Sequence, residues 1–376
     1  MIKYIKFLLL VLVVVLTIAM YHPLVYQTLL YDRLRLVTMA VLACLVPLTL
    51  SIKRYKQLSF LKKSVCILLF IAFEFLLLYS FSLNVSWVDL IQLIMVFSFI
   101  IIGIGSNLSD KAFILVCSTY SIGSFVLAIF SVNFYLGGFD LEASQFLIEG
   151  KNQLGALVAV GGAISFYLSQ YTKRKFGQLY LLLAVLIFLV LLVIRCRTAL
   201  VAYVLFVMIY VWQFWSHKSK MYFFILLTII GAFYFDTIID IVNTVLFNND
   251  EIGDVDSLTT GRYERNIKGI AYFSNHMFTG ELLENSEIEW IHNYLLLRFV
   301  KYGIWALPFL AIYLLFFVTM VKSFLKKEYN LKAMGIYVLT IPFFCSMLEP
   351  SAPFGPGTVQ IMSYLLFGIY LGHNWH

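Results

Sequence analysis

Arg195-Cys196-Arg197 sets two guanidinium groups in a near loopless turn between two apolar runs. If those runs cross a bilayer, both charges are pinned at its boundary, where an ionised side chain is costly unless paired and is a functional candidate by default. Arg262 and Arg265 lie one helical turn apart in the longest polar stretch of the chain, 247–290. His292-Asn293 follows directly, with Gly303 after nine further residues. At about 100° per residue, His292, Leu296, Phe299 and Gly303 share one expected helical face, with Gly303 letting a neighbouring helix approach closely. An arginine fork grips phosphate and carboxylate oxygens bidentately, and an imidazole titrates near neutral pH. Such a set suits chemistry on an anionic substrate. Each residue also has a plainer account. Arginines snorkel to lipid phosphates or pair with nearby carboxylates, and a single histidine at an interface is commonly a hydrogen-bonded structural residue.

Other polar features carry less. Asp254-Val255-Asp256 has the form of a metal-binding acidic pair, but two acids spaced by one residue are common by chance. Glu74 falls in mid-span and must pair or face a cavity. Asp236 and Asp240, one turn apart, read as a solvated face. The five cysteines are odd in number and match neither a disulfide framework nor a metal site. No phosphate-cradling glycine loop, nucleophile elbow or zinc-ligand spacing is present, so the expectation is no metal, no cofactor and no nucleic-acid partner.

The elements that must position these residues are membrane helices. Of 376 residues, 62% are hydrophobic and 12% charged, against about a quarter charged in soluble domains. With roughly 20 apolar residues per crossing, the chain divides into about twelve spans near 4–21, 36–52, 64–83, 88–105, 112–135, 152–170, 178–194, 198–215, 222–240, 300–321, 334–349 and 358–373. The run behind Lys3 and Lys6 reads as a retained first helix rather than a cleaved signal peptide. The expected fold is an all-α polytopic membrane protein, one domain over 1–376, with one long outer loop at 247–290 between the ninth and tenth spans. That loop holds Tyr263, Tyr272, Phe273, Phe278 and Trp290, too aromatic for a disordered linker, and is expected to fold back on the helix ends.

Lys and Arg set the orientation, because cytoplasmic loops are enriched in them. Lys53-Arg54-Tyr55-Lys56 with Lys62-Lys63, Lys173-Arg174-Lys175, Lys218/Lys220 and Lys322/Lys326/Lys327/Lys332 all fall on one side together with Lys3 and Lys6. Both termini are therefore expected in the cytoplasm, in a multi-pass protein of the cytoplasmic membrane. On that topology about 17 of the 20 carboxylates lie outside, all but Glu74, Asp110 and Glu328. The cationic residues outside number about ten, and seven are arginines: Arg33, Arg35, Arg195, Arg197, Arg262, Arg265 and Arg298. Topology needs only charge, which lysine supplies. Arginine on the face where positive charge is disfavoured suggests a geometric requirement.

The run Gly261-Arg262, Gly280, His292-Asn293, Gly303 resembles the signature region of the O-antigen ligase and O-antigen polymerase superfamily. In that family Gly-Arg opens a long external loop, and His followed by a small polar residue closes it nine residues before a glycine. Lys151-Asn152 at the head of the sixth span and Arg197-Thr198-Ala199-Leu200 at the head of the eighth are also similar to family segments. The likeness covers about the C-terminal two-thirds of the chain. Ala306 departs from the ligase pattern, which has Gly, Thr or Tyr there. The resemblance implies a C-type membrane glycosyltransferase fold and a metal-independent, inverting transfer on undecaprenyl-diphosphate-linked oligosaccharide, as donor and acceptor. It implies His292 as the base, with Arg197 and Arg262 on the diphosphate, backed by Arg265, Arg195 and Asn293. A chain-length regulator and a flippase are the implied protein partners, beside membrane lipid. A ligase and a precursor transporter are the competing expectations. Transporters show internal repeats and midplane polar sites, neither of which is visible in this sequence.

Overall fold

A computed structural model describes residues 2–26, 28–50, 55–56, 63–64, 67, 71, 87–136, 151–242, 262–280, 291–349 and 361–373. Every regular element among them is helical. In chain order these are α1 (Ile2–Ala19), α2 (Leu29–Thr49), α3 (Trp87–Gly105), α4 (Asp110–Leu136), α5 (Lys151–Tyr171), α6 (Arg174–Ile194), α7 (Arg197–Phe214), α8 (His217–Phe233) and α9 (Phe235–Val242). They are followed by α10 (Arg262–Asn275), α11 (Tyr294–Tyr302), α12 (Leu307–Leu325), α13 (Met334–Val338), α14 (Thr340–Leu348) and α15 (Ile361–Gly372).

Six described stretches are long and apolar enough to cross a membrane: Asp110–Tyr135, Asn152–Tyr171, Arg174–Ile194, Arg197–Phe214, Tyr294–Leu325 and Leu331–Leu348. Shorter apolar helices run over Tyr4–Ala19, Ile94–Gly105 and Ile361–Gly372. The chain is thus an all-α membrane protein. The expected third span at 64–83, with Glu74, lies largely outside the described residues, as do Asp254, Asp256, Gly261 and Trp290.

The bundle closes around α5, whose apolar window is 83% buried, the highest share of the six. Small residues permit this. Gly155, Ala156, Ala159, Gly161, Gly162 and Ala163 let α4, α6 and α7 pack on it without bulky side chains between. Lipid gives helices no hydrophobic reason to associate, so close contact and hydrogen bonds must do so. One such bond runs from the Ser121 hydroxyl to the Gly161 carbonyl at 2.8 Å. The same device joins α3 to α15, where a Cβ on Gly103 or Gly368 would fall on the facing backbone.

Three expected spans differ in detail. The ninth, 222–240, breaks at Tyr234 into α8 and α9. The tenth begins earlier and is not continuous: α11 ends at Gly303 (φ 59°), a 3-10 turn covers Gly303–Ala306, and α12 restarts with Pro308 in its first turn. The eleventh is two short helices, α13 and α14. The stretch expected to fold back on the helix ends, 247–290, carries an amphipathic helix, α10, that packs against α11.

These connections put two kinds of chemistry at opposite helix ends. α5 leaves Asn152 and ends at the Lys173 turn; α6 returns to Arg195; α7 leaves Thr198 and ends before Lys218. At 1.5 Å per residue, 21 residues of α5 or α6 rise about 30 Å, the thickness of a hydrocarbon core. The basic turns and the Asn152–Thr198 end are therefore about a bilayer apart.

Candidate functional site

Glu349 is the centre of the polar end. It follows the last residue of α14 in extended conformation, and its side chain is only 8% exposed. Its Oε1 accepts three hydrogen bonds: from Asn152 Nδ2 at 2.9 Å, from the Thr198 hydroxyl at 3.1 Å and from Arg262 Nη2 at 3.0 Å. Its Oε2 faces His292 Nδ1 at 3.6 Å. A buried carboxylate is costly without a countercharge and full hydrogen bonding. Arg262 supplies the first, and Asn152 and Thr198 add hydrogen bonds to Oε1.

The elements explain why these five side chains meet. Asn152, Thr198 and Arg262 lie in the opening turns of α5, α7 and α10, and His292 just precedes α11. Helix N-termini carry unsatisfied N–H groups and the positive end of the macrodipole, so their convergence suits a negative charge. The Asn152 amide is held from its other side as well, because Cys196 Sγ lies 3.6 Å from Asn152 Oδ1. Arg262 also donates from Nη1 to the Leu348 carbonyl at 2.9 Å, tying α10 to the end of α14.

His292 sits differently from the helical face expected for it. His292 lies outside the helix, and Asn293 is its N-cap, accepting from the Leu296 N–H at 3.0 Å. Asn293 Nδ2 donates to the Met347 carbonyl at 3.2 Å. Asn293 is thus a bracket between α11 and α14. Gly303 does not admit a neighbouring helix. Its positive φ turns the chain out of α11, and its Cα side is occupied by the Met277 carbonyl, which accepts from the Ile304 N–H at 2.7 Å. Gly280, also at φ 59°, meets the same junction from the other strand of chain. The spacing of His292, Gly280 and Gly303 therefore docks the segment after α10 against the break between α11 and α12.

The remaining arginines separate. Arg197 opens α7, half-buried, one residue before Thr198. Arg195 is half-buried and caps α6 in the left-handed region at φ 54°, strained for a non-glycine residue. Arg265 is exposed on α10 beside Glu264. The hydrogen bond and charge of Lys268, and then Arg265, hold the Glu264 carboxyl below its usual range. Arg298 is buried among aromatic rings, its guanidinium 5.0, 5.9 and 5.6 Å from the centroids of Tyr294, Tyr302 and Phe309. Those are cation–π distances, and Arg298 Nη1 donates to the Tyr302 hydroxyl at 3.4 Å.

Asn152, Thr198, Arg262 and His292 are therefore brought together, with Asn293 bracing them, while Arg265 lies on the exposed face of α10. Glu349 itself carries no motif. The available signal was its position, a carboxylate ending an apolar span beside Pro350 on the arginine-bearing side. Among the described residues no three His, Cys, Asp or Glu side chains gather at metal-binding spacing. No protein-family model matches the chain, and no curated protein is significantly similar to it.

Proposed function

We propose that the chain is a polymerase that joins undecaprenyl-diphosphate-linked oligosaccharide repeat units into capsular, O-antigen or exopolysaccharide chains at the outer face of the cytoplasmic membrane. One observation carries the reading. Four chain segments singled out by their likeness to the polymerase and ligase superfamily (152, 197–198, 262 and 292–293) meet around one buried carboxylate. Residues picked for sequence reasons alone had no obligation to converge.

The proposed topology has about twelve spans with both termini cytoplasmic, which puts the basic turns inside and the Glu349 cluster outside. In the proposed reaction the acceptor sugar hydroxyl attacks C1 of the donor sugar from the face opposite the diphosphate. The C1–O bond breaks with its electron pair passing to the leaving diphosphate, a glycosidic bond forms, and undecaprenyl diphosphate departs. The hydroxyl proton goes to His292 as general base. Charge developing on the leaving group needs fixed cations. Arg197 is assigned that task, together with the guanidinium N–H groups of Arg262 that Glu349 and Leu348 leave open. The long prenyl tail explains why the enzyme works within a bilayer.

Deletion of the gene, followed by analysis of lipid-linked and surface saccharide, tests the reading. Single repeat units on lipid are expected to accumulate. Accumulation of already polymerised chains on lipid would instead identify the ligase, and unjoined units trapped on the inner leaflet the transporter. His292→Ala is expected to reproduce the deletion while inserting at normal levels. Full-length polymer in that variant would remove His292 from the mechanism.

A further inference from the structure

We propose that Glu349 is the positioning residue for His292, holding the imidazole with its proton on Nδ1 so that Nε2 is the atom that receives the acceptor's proton. The inference rests on the polymerase reading above and assigns a role to a residue that the resemblance does not mention.

The two carboxylate oxygens of Glu349 have different work. Oε1 takes all three donors, from Asn152, Thr198 and Arg262, at 2.9 to 3.1 Å. Donors from three separate helices fix both the position and the rotation of the carboxylate. Oε2 is thereby left facing the imidazole, 3.6 Å from Nδ1. That is beyond a formed hydrogen bond, but catalytic hydrogen bonds are often long in unliganded enzymes and tighten when substrate binds.

Burial selects the tautomer. Nδ1 is fully buried and makes no other hydrogen bond among the described residues. With a lone pair on Nδ1, two acceptors would face each other away from water; with a proton there, donor faces anion. The protonated Nδ1 is the arrangement that burial favours. The ring as a whole keeps 19% exposure while Nδ1 keeps none, so its accessible edge is the one bearing Nε2. When Nε2 takes a proton, the imidazolium forms against Oε2, the oxygen Arg262 does not bind. This is the orienting logic of a base held by a carboxylate, built here on helix ends.

Full-length protein in nanodiscs, supplied with the lipid-linked repeat units that a deletion strain accumulates, provides the test. Glu349→Gln keeps an oxygen for the three donors and removes the charge facing Nδ1. We expect kcat to fall about 100-fold or more, with KM changed less than about threefold, in protein that still folds but melts lower because Arg262 loses its countercharge. Glu349→Asp should recover part of the loss. A kcat at wild-type level in folded Glu349→Gln overturns the proposal, as does a change confined to KM. If Glu349→Gln fails to fold, Thr198→Val, which removes one donor from Oε1, serves instead. There a lowered kcat at unchanged KM supports the role and an unchanged kcat overturns it. Wild-type protein that joins no units at all would overturn the polymerase reading itself, a result distinct from any variant's behaviour.

Discussion

Arg262 and Glu349 form an ion pair in which the acid is almost wholly buried and the base about a quarter exposed. Such a pair adds little net stability over an apolar replacement, yet removing one member strands the other charge, at a cost of about 3–5 kcal/mol when both are buried. The partial exposure of Arg262 puts Arg262→Met near the lower end, about 3 kcal/mol. Adding Glu349→Gln to Arg262→Met should return most of that loss, because the stranded charge is gone. Thermal melts of the two variants in detergent check this. A double variant no more stable than Arg262→Met would mean that the pair is not the source of the cost. The Lys268–Glu264 pair, 2.6 Å apart one turn along α10, gives the contrast. It is solvent-exposed, so its Coulomb energy is screened. With its pKa lowered on folding, Glu264 contributes only above the ordinary carboxylate range and loses that contribution as pH falls through the lowered value. Screening keeps that contribution small, so Glu264→Gln is expected to lower the melting temperature at neutral pH far less than Arg262→Met does.

At the scale of elements, the start of α11 and its end are both constrained by side-chain-to-backbone or backbone-to-backbone contacts. Asn293→Ala removes an N-cap, worth about 1 kcal/mol, and also the bond to the Met347 carbonyl that braces α14. Gly303→Ala meets a positive φ and the Met277 carbonyl at once, so it should lose more stability than Asn293→Ala. Melting temperatures of the two variants rank them, and the reverse order would show that the junction can relax. These elements also mark how far the sequence reaches. Apolar run length located the helices around α5, α6 and α7 within a few residues, because bilayer thickness fixes their length. Counting 100° per residue from His292 to Gly303 assumed an unbroken helix. The chain instead caps at Asn293 and turns out at Gly303, a choice made by the segment after α10 packing there. Glu349 was invisible for a related reason. Its partners come from four elements distant in sequence, and only the packing of α14 against α7 and α11 brings them within reach.

For the whole molecule, one consequence joins charge to geometry. The Lys173 turn and the Lys326 region lie at the ends of α5 and α12 remote from Asn152 and Leu307, while Arg195 and Glu349 lie at the other end of the bundle. On the proposed topology the lysine-rich ends meet a cytoplasmic leaflet enriched in anionic lipid, as the positive-inside rule expects. On that topology the arginine-rich end would face outward, where the proposed reaction needs an anion held by side chains rather than by bulk lipid. Single cysteines placed in a variant with the native cysteines replaced test the arrangement in intact cells or, for a double-membrane envelope, in spheroplasts. Lys175→Cys and Lys327→Cys should resist a membrane-impermeant maleimide until the membrane is opened. Arg265→Cys, on the exposed face of α10, should be labelled without opening. The opposite pattern would invert the topology and put the Glu349 cluster in the cytoplasm, where the proposed outer-face polymerisation could not use it.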